Sequence, residues 1–482
     1  MPLFRPLAAL LLAAATSSAS GAGNIDAEFG DGGRRNVVFD IGGDRLDDAL
    51  AMDVAANGTV VLAGSARIDA THDCLAIARL LPDGTLDASF SGDGRYTEPV
   101  LCSGASIRIA AVKIDSSNRI VFAGTYQGDG NDPEFIVGRV KADGSGLDDS
   151  FGSFPAIGIV APSLGGDSAS GASGLALQGD GKIVAVGYAT VNLIGSLTGF
   201  AIVRLNADGT SDSSFNGNGY QVYSWGDSLD DPLNDRASAV TIQGDGKIVV
   251  VGTSQQTASG ADFGVIRLNA NGSLDTGFGG NGTGAKLIDF GTSCKDDIAT
   301  AVAARYSLFS PPGNGVVIAG TSCISGADWD FSVAVLDEAG QLDTGFNGSG
   351  RRTVEFDLGG ANRDVAKAVA IESIGSFLLS PTHITLAGFA LNTAPASSGY
   401  EIALTRLSFA GGADTRFGVN GRATFAPNLG NANNDFGNAL QIRGYRAWVG
   451  GTIQRASAGD YDFAAIRVFA NDAIFASRFE RH

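Results

Sequence analysis

Histidine is almost missing from this 482-residue chain: only His72, His383 and the terminal His482 occur. Three scattered imidazoles exclude a His-rich zinc centre. No Gly-x-Ser-x-Gly elbow accompanies any of them, so a serine-hydrolase site has no nucleophile turn. The phosphate-cradling pattern Gly-x-x-x-x-Gly-Lys-Ser/Thr is absent, and the Gly-Asp-Gly-Lys stretches inside hairpins read as turns. Lys and Arg together number 33 against 51 Asp and Glu, a formal net charge of −18. That balance repels phosphate and argues against nucleic acid and anionic membranes as partners. Beyond the first residues no run of eighteen apolar side chains exists, which excludes membrane insertion by a helix. Cysteine is scarce too, at four residues.

What is abundant is glycine, 69 residues, about twice the usual share. In a chain rich in short β-branched runs this means many tight turns. The amino terminus carries Arg5, an apolar stretch Leu7–Ala15 and small residues at Ser18–Ala22, the pattern of a secretory signal cut near residue 22. An exported, monomeric protein is expected, periplasmic, cell-surface or secreted, with residues 23–471 as its folded body and 472–482 as a short tail.

A motif Asp-x-x-Phe recurs at Asp26…Phe29, Asp87…Phe90, Asp148…Phe151, Asp212…Phe215, Asp275…Phe278, Asp343…Phe346 and Asp414…Phe417, spaced 61 to 71 residues apart. Two further signals keep step with it. One is a β-branched run ending in glycine, at Gly64, Gly124, Gly187, Gly252, Gly320, Gly388 and Gly450. The other is an apolar strand carrying arginine, at Arg79, Arg139, Arg204, Arg267, Arg406 and Arg467, with Val335 replacing it in the fifth unit. Each unit reads as four strands. In the fourth unit these are Tyr220–Trp225, Ala237–Gln243, Lys247–Gly252 and Phe263–Asn269. The third is apolar at nearly every position, as burial on both faces requires. Seven such units predict an all-β fold: a seven-bladed β-propeller of four-stranded antiparallel blades, closed into a ring by unit one meeting unit seven. The pattern does not order the strands from the axis outward.

Leu205-Asn206-Ala207-Asp208-Gly209, the repeated Gln-Gly-Asp-Gly-Lys-Ile-Val at 178–184 and 243–249, and Leu86-Asp87-Ala88-Ser89-Phe90 resemble the bacterial delta-60 repeat family. The resemblance spans nearly the whole mature chain and implies a propeller-like secreted or surface protein with no catalytic residue to transfer. The tail Ala473–Glu480 resembles a C-terminal tail found on some exported Gram-negative proteins, and reads equally as a degenerate eighth Asp-x-x-Phe turn.

Residues present in every unit are expected to serve the frame. The motif Asp caps its turn and the motif Phe fills the gap between blades. A second Asp before the second strand (Asp47, Asp235, Asp297, Asp364, Asp435) is expected to fix the turn leading into it, with the strand-four arginine as its expected partner. No cofactor is demanded by the sequence. Calcium is the one the acidic run Asp227, Asp230, Asp231, Asp235 has the ligand chemistry for, although no EF-hand or nonapeptide spacing occurs.

Export permits disulfides, and four cysteines allow three pairings. The expected pairs are Cys74–Cys102 and Cys294–Cys323, because loops 1–2 and 3–4 emerge on one face. Loops that vary over a repeated frame are where function sits. The most distinctive adjacent segments hold Tyr188, Tyr220, Tyr223 and Trp225 beside Asp227, Asp230 and Asp231. Aromatic faces next to carboxylates suit a sugar ring or a basic partner, against the plainer alternative that Trp225 merely packs. The expected function is a non-enzymatic module binding an extracellular protein, peptide or glycan. The alternative is a glycan hydrolase or lyase using paired carboxylates in the channel.

Overall fold

A computed structural model describes residues 22–471 apart from 42–44, 99–101, 153–157, 166–168, 193–196, 226–233, 258, 293, 308–312, 360–362, 374–380, 395–397, 428–433 and 456–458. Residues 1–21 of the leader and all of the tail assigned from sequence therefore lie outside the described residues, as do Asp227, Asp230 and Asp231.

Strand β1 (Arg34–Val37) is followed by six four-stranded antiparallel sheets. Blade one is β2 (Asp47–Val54), β3 (Val60–Arg67), β4 (Asp73–Leu80) and β5 (Arg95–Thr97). Blade two is β6 (Ala105–Ile114), β7 (Ile120–Gly128), β8 (Glu134–Val140) and β9 (Ile159–Val160). Blade three is β10 (Ser170–Leu177), β11 (Ile183–Asn192), β12 (Leu197–Leu205) and β13 (Tyr220–Tyr223). Blade four is β14 (Arg236–Ile242), β15 (Ile248–Gln256), β16 (Gly260–Leu268) and β17 (Ala285–Ile288). Blade five is β18 (Asp297–Ser307), β19 (Gly313–Ser325), β20 (Asp328–Leu336) and β21 (Arg351–Val354). Blade six is β22 (Asp364–Ser373), β23 (Pro381–Asn392), β24 (Gly399–Ser408) and β25 (Arg422–Phe425). Blade seven is β26 (Asp435–Arg443), β27 (Arg446–Gln454), β28 (Tyr461–Phe469) and, on its outer edge, β1.

The seven-bladed propeller is as expected, but the blades are phased one strand later than the repeat. Tyr220–Tyr223 does not open its own blade. It pairs with β12 as the outermost strand of the blade before. By the same rule β1 completes blade seven, Arg34 opposite Ile466 and Val37 opposite Phe463. The first unit thus seals the ring by lending a strand to the last, which hides an edge that would otherwise be open.

The first strands of the blades touch one another in a closed circuit and form the wall of the central channel. Each carries a bulge, for example between Ala49 and Ala51 or Ala366 and Ala368. The bulge explains the recurrent glycine. A Cβ at Gly64 would stand 1.9 Å from the Asp48 carbonyl, and one at Gly388 1.9 Å from that of Val365. In blade seven this role passes to Gly451, where the distance to the Phe436 carbonyl would be 1.8 Å.

Seven apolar clusters fill the spaces between neighbouring blades. The seven motif phenylalanines are buried within them, none more than 1% exposed. Truncating one such ring to Ala costs about 3–5 kcal/mol.

The second Asp corrects an expectation. It does not pair with the strand arginine; it accepts a backbone N–H from the preceding crossover. Asp47 Oδ2 takes Phe39 N–H at 2.7 Å, and Asp364 Oδ2 takes Phe356 N–H at 2.7 Å. The arginine goes to the motif Asp instead, as in Arg139 Nε to Asp148 Oδ2 and Arg204 Nε to Asp212 Oδ2, both 2.7 Å. It lies over the motif ring (Arg139 to Phe151, 4.6 Å) and donates to a carbonyl one repeat further on, Ala207 O. One guanidinium thereby ties a turn to its neighbour.

Candidate functional site

Chain direction puts two kinds of loop on opposite faces. The short hairpins between first and second strands and the Asp-x-x-Phe turns share one face. The crossovers between blades and the loops between second and third strands share the other. The first face repeats; the second changes from blade to blade.

Both disulfides form as expected, on the changing face. Cys74, at the start of β4, bonds Cys102 in the crossover to blade two, with Cα atoms 5.2 Å apart. Cys294, in the crossover to blade five, bonds Cys323 of β19 at 5.4 Å. They fit an oxidising compartment. No helix among the described residues is long and apolar enough to cross a membrane. Beside the first disulfide, His72 is held between two loops, 2.8 Å from Asp69 and 3.0 Å from Asp129. Its hydrogen bond to Asp129, then that to Asp69, raises its pKa. His383 is instead buried next to Arg406 and Asp414. Burial pushes its pKa down to about 4.

Of the aromatic residues singled out in sequence, Tyr188, Tyr223 and Trp225 fall on one face of blade three and Tyr220 on the other. Tyr223 and Trp225 meet edge to face at 4.8 Å, and Trp225 meets Phe200 at 5.0 Å. Trp225 also covers Gly264 of blade four, so its ring belongs to the packing between blades three and four. Tyr220 packs on the other side of blade three. Tyr188 shares the face of Tyr223, with Phe200 in register between them, and lies beneath the exposed guanidinium of Arg236 at 4.1 Å.

That last pair belongs to a set that lies outside the repeated frame. At the crossover end of the channel wall, three cations lie over three rings: Arg236 on Tyr188, Arg363 on Trp329 at 5.8 Å and Lys367 on Phe389 at 5.9 Å. None of the three cations forms a salt bridge among the described residues. Lys367 occupies the bulge of β22. Burial lowers its pKa, while Asp48 pulls it up and Arg363 lowers it further. Arg45 and Arg108 stand at the same end, paired to Asp460 at 3.5 Å and Asp73 at 3.8 Å. An acidic molecule thus places basic groups around one mouth.

Next to Phe389 three further half-buried rings extend the surface toward blade seven. Phe436 is 4.9 Å from Phe389, Tyr400 is 5.4 Å from Phe436, and Tyr461 is 6.4 Å from Phe436. Polar groups border them. Asn392 donates to Glu401 at 2.7 Å, Asn434 to Gln454 at 2.8 Å, and Thr452 to Asp48 at 2.7 Å. The sequence signal was departure from the repeat. Where units one, two, four and five carry Ser65, Thr125, Thr253 and Thr321 after the recurrent glycine, unit six carries Phe389. One position after the second Asp stand Asp48, Arg236, Ile298, Val365 and Phe436, all different.

Residues 55–90, 178–215 and 243–278 match a family model described as "Domain of unknown function (DUF5122) beta-propeller". These matches support a β-propeller family. No curated protein matches the sequence. Among solved structures, a protein of unknown function from Dyadobacter fermentans is 11% identical, with TM-score 0.42 over 75% of this chain and 96% of its own. Drosophila Semaphorin 2a is 9% identical, with TM-score 0.46 over 91% and 75%. A polysaccharide lyase, an ulvan lyase, is 10% identical, with TM-score 0.42 over 91% and 96%. None is similar enough to lend its activity to this chain.

Proposed function

We propose that this chain is an exported delta-60-type propeller whose work is binding, and that it takes an acidic glycan at the crossover-side mouth of its channel. One observation carries the reading. In a chain of net charge −18, three cations that form no salt bridge among the described residues, Arg236, Arg363 and Lys367, sit at that mouth over aromatic rings. Flat half-buried rings offer apolar faces of the size of a sugar, and guanidinium groups fit carboxylate or sulfate oxygens in a forked geometry. Cations stacked on rings keep their charge directed outward while losing little freedom on binding. The frame itself supplies no such group: its arginines are committed to the motif aspartates.

The test is a panel of immobilised polysaccharides probed with the mature chain. Uronate-bearing or sulfated chains are expected to retain it, and neutral glucans are not. Retention by acidic peptides and no glycan would replace this reading with a protein partner.

A further inference from the structure

Blades four and five meet at three carboxylates. Asp262 is the third residue of β16, Asp289 follows β17, and Asp297 opens β18. Each brings one oxygen within 4.8 Å of the other two. Asp262 and Asp297 are buried, 4% and 0% exposed, while Asp289 is exposed.

The hydrogen-bond account of this junction does not close. Asp297 Oδ2 accepts Phe290 N–H at 2.7 Å, and Asp262 Oδ2 accepts the Ser259 hydroxyl at 2.7 Å. The other oxygen of Asp262, Oδ1, is buried with no hydrogen-bond partner, while Asp297 has the Ser322 hydroxyl as a further donor. No arginine or lysine forms a salt bridge with either among the described residues. A buried carboxylate oxygen without donor or counter-charge is costly.

The junction between blades three and four provides the comparison. There Gly199 stands in the place of Asp262 and Ser224 in that of Asp289. Asp235, the counterpart of Asp297, is fully served: Ser254 donates to Oδ1 at 2.6 Å, and Trp225 N–H and the Ser224 hydroxyl donate to Oδ2 at 2.9 and 3.0 Å. One carboxylate with two hydroxyls is complete without a ligand. Three clustered carboxylates that leave the buried Asp262 Oδ1 without a donor are not.

We propose that Asp262, Asp289 and Asp297 hold a calcium ion between blades four and five. All donors are hard anionic oxygens with no histidine or thiolate among them, which favours calcium over zinc. Asp289 gives the ion a route from solvent, and waters would complete its coordination. The crossover that carries Asp289 and Asp297 also carries Cys294, so ion and disulfide fasten the same segment. This site is separate from the acidic run at 227–235.

The experiment is thermal unfolding and calorimetric titration of the full mature chain after chelation. Calcium is expected to raise Tm progressively with concentration and to titrate at one site, with magnesium giving a much smaller shift. Asp289→Asn, an exposed change that leaves the core intact, is expected to abolish most of the shift, as is Asp262→Asn. Asp330→Asn, at another junction, is expected to keep it. No calcium shift, an equal shift with magnesium, or a shift unchanged in Asp289→Asn would overturn the proposal.

Discussion

Arg305 Nη1 lies 2.6 Å from Asp343 Oδ2, and this pair repairs the one break in the repeat. Six motif aspartates receive an arginine from the third strand of their own blade, whereas the fifth unit has Val335 there. The replacement comes from the first strand, β18, and is 7% exposed. A cation over that turn is therefore a structural need that two different strands can meet.

Removing Arg305 leaves Asp343 beside a buried turn without its partner. Arg305→Ala is expected to destabilise the fold by about 3–5 kcal/mol, the usual cost of breaking a buried pair. Adding Val335→Arg in the same chain is expected to recover most of the loss. Urea unfolding of the three proteins checks both effects; an Arg305→Ala midpoint equal to wild type would refute the pairing.

Ring closure by β1 gives a second outcome. Deleting residues 23–40 removes β1, Phe29 and Asp26, and exposes the long edge of β28. The truncated chain is expected to melt far below the intact one and to associate through that edge. Gel filtration and a melting curve check this, and an unchanged monomeric melt would mean that the ring is sealed otherwise.

Four other buried carboxylates set the response to pH. Burial, above all, lifts Asp47 to about 6 and Asp330, Asp364 and Asp462 to about 7 from an ordinary 3.8. Asp330 faces Asp328, Asp364, Asp357 and Glu355, all of its own sign. Between pH 4 and 7 the folded chain holds protons that the unfolded chain has released, so stability falls as pH rises through that window. The motif carboxylates act the other way at the acid end. Burial would raise Asp148, but its bonds from Ser150 and the charge of Arg139 prevail and hold it at about 2. That contribution is lost below pH 4. Tm in chelator is expected to be highest between pH 4 and 6 and lower at pH 8, with a smaller decline in Asp330→Asn. Equal Tm at pH 5 and 8 would contradict this account.

The frame was legible because every blade solves the same problem. The motif Asp, its Phe and the recurrent glycine each answer a need of a turn, a gap or a bulge, and recurrence exposes such needs. Strand phasing was not legible, since Tyr220–Tyr223 has the same pattern whichever neighbour it pairs with. The second Asp was assigned the wrong partner because a backbone N–H leaves no mark in a sequence. The mouth was hidden for a different reason. Phe389, Lys367 and Arg236 matter by differing from their counterparts, and a search for what recurs passes over what departs. Trp225 stood out as a rare residue, yet its place is filled by Phe290 and Phe356 at other junctions, each against a ring of the preceding blade.

Binding at the mouth is the central claim, and titration with a uronate polysaccharide alongside its carboxyl-reduced form tests it most directly. The account predicts saturable binding of the acidic form, weakening with salt. Affinity should fall at least about tenfold, or roughly 1.4 kcal/mol, when Arg363→Met and Lys367→Met are combined. Phe436→Ala should weaken binding as well, and Lys141→Met, on the repetitive face, should leave it unchanged. Equal binding of both polysaccharides, or undiminished affinity in the Arg363→Met and Lys367→Met chain with its melting curve intact, would contradict the account.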